Sequence, residues 1–206
     1  MKALLHRRGF VIALTTLWMA VVSSGTVALW RYSMTPGDPG APPEQWPQAA
    51  SIPMARGRYT LLMLVHPQCS CSRASLSELA KVMTRSDFDA DAWVLFVKPS
   101  GFGDGWEKTD LWRRAEEIPR VTAVLDDRGR EAALFGARTS GQTLLYDPRG
   151  RLVFAGGITA GRSHEGDNIG ESRLVSLVTE GRADANHASV YGCALNDPDI
   201  TLTRGS

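Results

Sequence analysis

The chain has 206 residues, with 23 Lys and Arg against 22 Asp and Glu. That length allows one domain with appendages, large enough to bury a core without disulfide staples. Near-neutral charge with no basic stripe argues against nucleic acid as a partner. Three cysteines are too few for a disulfide scaffold, and the odd number leaves a spare thiol or an exchange partner.

Residues 1–8 carry Lys2, His6, Arg7 and Arg8, and the uncharged run 9–30 follows. About 20 apolar residues suffice to cross a bilayer as a helix, whereas the apolar core of a cleaved signal is ~7–15. The run therefore reads as an uncleaved transmembrane signal anchor. Trp30 and Tyr32 fall at its outer end, where aromatic rings favour the headgroup level. Cations before the span, with only Arg31 close behind, put the N-terminus inside and the remainder outside. This predicts a single-pass protein of the bacterial inner (cytoplasmic) membrane, with its domain in the periplasm or extracytoplasmic space. Residues 31–58 hold Pro36, Pro39, Pro42, Pro43, Pro47 and Pro53 without apolar periodicity. Such a segment reads as a stiff spacer that holds the domain off the bilayer.

The domain is expected over 59–181. YTLLMLV, Tyr59 to Val65, is a continuous apolar run suited to a strand buried on both faces. It leads through His66-Pro67-Gln68 into Cys69-Ser70-Cys71. A helix then follows, with Leu76, Leu79, Ala80 and Met83 on one side and Ser70 or Ser72 as cap. Trp93 to Val97 reads as a second buried strand, followed by a loop with Gly101, Gly103 and Gly105. Leu111, Ala115 and Ile118 mark a second helix, stopped by Pro119. Val121 to Leu125 is a third strand, and Arg130 to Phe135 a short helix ended by Gly136. Leu144-Leu145-Tyr146 and Leu152-Val153-Phe154 flank Asp147-Pro148-Arg149-Gly150, the chemistry of a hairpin turn. A last helix spans Ile169 to Thr179, with Asn168 and Glu171 spaced as a capping box and Gly181 as its end. The tail, 182–206, has no clear periodicity and carries Cys193. Strands alternating with helices give an α/β fold, a central mixed sheet flanked by helices.

The strand leading into cysteines at a helix start resembles the thioredoxin-like superfamily. Leu125-Asp126, Gly129, Phe135-Gly136, Leu144-Leu145-Tyr146-Asp147 and Gly150 are similar to membrane-tethered thioredoxin-like reductases and peroxiredoxins. His66-Pro67-Gln68-Cys69-Ser70-Cys71-Ser72-Arg73-Ala74-Ser75 with Cys193 also resembles anchored bacterial proteins of the RedB type. The resemblance implies thiol–disulfide oxidoreductase activity on a protein thiol or disulfide partner. Two departures stand out. The family motif is Cys-x-x-Cys, and here Ser72 occupies its second cysteine position. The family's cis-proline is also missing from Thr139-Ser140-Gly141-Gln142-Thr143.

A thiolate is the reactive form, and a helix N-terminus lowers the pKa of a thiol placed there. Cys69 is therefore the candidate nucleophile, expected to be lifted into solvent, with Arg73 and His66 adding positive field. Cys71 and Cys193 both qualify as the resolving thiol. A Cys69–Cys71 disulfide closes a tight ring, and Cys193 requires the tail to fold back. The rival reading is a copper-binding or metallochaperone module using Cys69, Cys71 and His66, because soft thiolates select Cu(I). Gly156-Gly157-Ile158-Thr159-Ala160-Gly161-Arg162-Ser163 mimics a phosphate-binding loop, but the arginine and the lack of a helix at Ser163 favour a simple glycine-rich connection. His164-Glu165-Gly166-Asp167-Asn168 reads as a loop that caps the last helix.

Overall fold

The computed structural model describes residues 2–195, with side chains from residue 7 onward. It divides into two units, 1–35 and 36–206. The first is one helix, α1 (Lys2–Met34). Its stretch Arg7–Met34 has a mean hydropathy of 1.8 and is long and apolar enough to cross a membrane. Several of its hydroxyls bond to its own backbone: Thr16 Oγ1 donates to Ile12 O at 2.8 Å, and Thr26 Oγ1 to Val22 O at 2.9 Å. Internal satisfaction of this kind lets polar residues sit in an apolar helix.

The second unit is built on a five-stranded sheet. Its strands are β1 (Tyr59–Val65), β2 (Ala90–Lys98), β3 (Val121–Asp127), β4 (Gln142–Tyr146) and β5 (Leu152–Gly156), in the order β3-β2-β1-β4-β5. β1, β2 and β3 run parallel, while β4 is antiparallel to both β1 and β5. The sheet is thus mixed, as the alternation of elements and the hairpin predict.

The apolar run of β1 serves two cores, because successive side chains of a strand point to opposite faces. Leu61, Met63 and Val65 pack with Leu76, Leu79, Val82 and Met83 of α2 (Ser70–Met83), Leu111 and Trp112 of α3 (Asp110–Glu116), and Leu174 of α5 (Ile169–Thr179). Leu62 and Leu64 join the opposite core, with Ala132 of α4 (Arg130–Leu134), Phe135, Tyr146 and Ile52. Asp126 caps α4, its carboxylate accepting from the Glu131 and Ala132 N–H groups at 2.9 and 2.8 Å. Asn168 Oδ1 accepts from Glu171 N–H at 2.9 Å, which is half of the expected capping box. The asparagine amide instead donates to Ile158 O.

Two expectations are corrected. The N-cap of α2 is Cys69, not Ser70 or Ser72, and no side chain caps that end. Residues 36–58 do not stand off as a spacer, because they lie along the domain as a strap. Gln142 Nε2, Tyr146 Oη and Leu152 N–H donate to the carbonyls of Pro39, Pro43 and Glu44, and Thr139 Oγ1 to that of Asp38. Proline lacks a donor but keeps its carbonyl, so an extended proline-rich chain offers acceptors to donors of the fold. At Gly40, where φ is +63°, an added Cβ would lie 1.9 Å from Gly136 O, so only glycine fits. Trp46 fixes the strap, edge-on to Phe135 at 5.0 Å and to Tyr146 at 5.2 Å between ring centroids.

Trp46→Ala is expected to destabilise the protein by about 2–3 kcal/mol, below the cost for a fully buried tryptophan. Denaturant unfolding checks this, and an unchanged midpoint would return the segment to a passive spacer.

Candidate functional site

β1 ends at Val65, and His66-Pro67-Gln68 turns the chain so that Cys69 N–H donates to His66 O at 3.0 Å. Cys69 then caps α2 with extended backbone, φ −84° and ψ 116°. Cys71 lies in the first turn of that helix. Their sulfurs and that of Cys193 all lie within 4.8 Å of one another. The helix start holds as expected, but the open surface does not. Cys69 is 3% and Cys71 4% exposed, whereas Cys193 is exposed. The tail covers the helix start.

Backbone pairing and close-packed glycines hold that tail. Ala155 N–H donates to Asn186 O, Gly37 N–H to Val190 O, Ser140 N–H to Cys193 O and Leu195 N–H to Arg138 O, at 2.8–3.0 Å. A Cβ on Gly192 would lie 1.9 Å from Ser140 O, and one on Gly156 2.5 Å from Ala188 N. Gly156 and Gly157 of the loop that resembles a phosphate-binding motif thus make room for the tail, and α5 begins only at Ile169. Ser140 lies within 139–143, the stretch in which the family resemblance leads one to expect proline. Its N–H, which proline lacks, grips the carbonyl of Cys193, while its hydroxyl accepts from His66 N–H at 2.8 Å and lies 2.7 Å from Ser72 Oγ.

The electrostatics separate the thiols. Burial alone pushes Cys69 up, but hydrogen bonds from the backbone and thiol of Cys193 and from Ser72 outweigh it, so the Cys69 thiol lies below its ordinary value. Burial, the hydrogen bond to Cys69 and the charges of Cys69 and Cys71 push Cys193 up to about 12, with Arg162 opposing. Cys69 is the group that ionises first in this pair.

The remaining candidates fall as follows. Arg73 is paired with Asp110 across α2 and α3 and holds that carboxyl below its usual range. His66 Nδ1 accepts from Gln68 N–H at 3.2 Å, and its ring stands edge-on to Trp106 at 5.4 Å. A cleft of about 430 Å³ opens beside the thiols, lined among others by His66, Cys69, Phe102, Trp106 and Cys193. The 164–168 loop does cap α5, and Gly166 N–H donates to Glu78 Oε1 at 2.6 Å. Sequence reasoning misses three residues at the site: Ser140, Arg162, which donates to Gly192 O, and Ser163, whose hydroxyl donates to Cys71 Sγ at 3.6 Å. The proline missing from 139–143 and the arginine in the loop motif are the signals in the sequence that bear on them.

No protein-family model matches the chain, and no curated protein matches it. Among solved structures, a hypothetical protein from Sinorhizobium meliloti 1021 is similar at 18% identity and a TM-score of 0.54, over 79% of this chain and 94% of that one. An uncharacterized conserved protein from Geobacillus kaustophilus is similar at 14% identity and a TM-score of 0.54, over 80% and 94%. An exposed lipoprotein thioredoxin from Streptococcus pneumoniae is similar at 16% identity and a TM-score of 0.42, over 61% and 86%. With strand order β3-β2-β1-β4-β5, helices on both faces and cysteines where β1 passes into α2, the fold of this chain is thioredoxin-like.

Proposed function

We propose that the chain is a membrane-anchored, extracytoplasmic thiol–disulfide oxidoreductase in which Cys69 attacks and Cys193 resolves. The observation that carries this is the meeting of three sulfurs within 4.8 Å, two from the start of α2 and one from the tail. The Cys69 thiolate attacks a partner disulfide. That S–S bond breaks, one partner sulfur leaves and takes a proton from solvent, and the other is held on Cys69. Cys193 gives its proton to solvent and attacks Cys69, releasing the second partner sulfur and leaving a Cys69–Cys193 disulfide. Two electrons have then passed to the partner. Once Cys69 is in the mixed disulfide its negative charge is gone, so that part of the upward push on Cys193 disappears. The resolving thiol is thereby activated when it is needed. Cys71 remains as a further exchange thiol, since a direct Cys69–Cys71 bond across one residue departs from relaxed disulfide geometry. The direction of flow follows the partner's reduction potential.

The apolar helix with Lys2, Arg7 and Arg8 before it supports an N-terminus inside and a domain outside the bacterial inner membrane.

With a disulfide-bonded protein substrate, Cys193→Ser is expected to accumulate a mixed disulfide on Cys69, Cys71→Ser to resolve it, and Cys69→Ser to form none. Non-reducing gels with peptide mapping read this out. A mixed disulfide still formed by Cys69→Ser would overturn the assignment.

The same gathering of sulfurs favours a second reading, a soft-metal site. Cys69, Cys71 and Cys193 fit one Cu(I) ion, because thiolates select soft cations. Bound there, the ion would lock all three thiols against exchange. His66 lies outside that group of sulfurs, so the ligand set differs from Cys69, Cys71 and His66. Anaerobic titration of the reduced protein should show one tight Cu(I) equivalent that is lost in each single Cys→Ser variant. Absence of stoichiometric binding rejects this reading.

A further inference from the structure

Residues 162 and 163 play no part in the cycle above, yet one touches the backbone beside Cys193 and the other the sulfur of Cys71. Arg162 Nη1 donates to Gly192 O, one residue before Cys193. Gly192 is pressed against Ser140 O so closely that no side chain fits between them. The guanidinium therefore grips the tail where its backbone is already fixed on the other side. Ser163 has φ +58°, a left-handed conformation that non-glycine residues rarely adopt. Strain of this kind persists where the surroundings impose it, often at working sites. Here it accompanies a hydroxyl aimed at Cys71 Sγ, 3.6 Å away. A glycine would take that backbone without strain but would lose the donor.

We propose that Arg162 and Ser163 are positioning residues of the thiol site: Arg162 seats the tail so that Cys193 faces Cys69, and Ser163 holds Cys71 by a hydrogen bond to its sulfur. This rests on the exchange reading for its effect on cysteine pairing, but not for the seating of the tail, which the contacts of Arg162 and Ser140 carry.

The test uses the full-length protein. In the reduced protein, Arg162→Gln should speed hydrogen exchange at the Ser140 amide, which donates to Cys193 O, about tenfold, and Arg162→Lys should restore most of the protection. In protein equilibrated with reduced and oxidised glutathione, with pairing mapped by mass spectrometry, Arg162→Gln should lower the share of the Cys69–Cys193 linkage about tenfold relative to the unlinked form. Ser163→Gly should keep or raise the Tm while raising the share of linkages that involve Cys71, because that sulfur is no longer held. Unchanged Ser140 exchange in folded Arg162→Gln, or unchanged pairing in folded Ser163→Gly, would overturn the proposal. The exchange measurement tests it even if no Cys69–Cys193 linkage forms in the unaltered protein, an outcome that would instead remove the thiol–disulfide reading.

Discussion

Ser140 donates its backbone N–H to the carbonyl of Cys193, and the whole site depends on that contact. It closes a short antiparallel pairing in which residues 138–140 hold residues 193–195 over the start of α2. Without it, the grip on Cys193 itself is lost and the neighbour that lowers the Cys69 thiol shifts, although Leu195 and Arg162 still hold the tail on either side. The contact needs only the backbone N–H that Ser140 carries.

Burial and reactivity would ordinarily oppose each other at such a place. A thiol covered by packing resists ionisation, and the dipole of α2 and the surrounding donors must outweigh that cost. Cys69 receives donors from Cys193 and Ser72, and Cys193 bears the opposite effect. When the pair loses a proton, the charge therefore falls first on the sulfur that caps the helix. The same compactness brings a third sulfur, Cys71, within reach, and exchange and soft-metal binding draw on that one arrangement.

Much of this was legible in the sequence. β1 announced itself because seven consecutive residues of YTLLMLV serve two cores, and α2 and α5 because their apolar residues recur at helical spacing. Cys69 at the start of α2 followed from the strand-to-helix junction alone. The strap and the tail were not legible, because they are held by main-chain carbonyls, by Trp46 and by glycines in close approach, none of which leaves a periodic trace. Arg162 and Ser163 were hidden for a related reason. Glycines beside them suggested a loop of another kind, whereas those glycines admit the tail that Arg162 then grips.

The most direct measurement is mass spectrometric mapping of cysteine pairing in the oxidised full-length protein. The account predicts a Cys69–Cys193 linkage with Cys71 free to alkylate. A Cys69–Cys71 linkage with Cys193 free would contradict it, since the tail would then cover the helix without taking part in its chemistry.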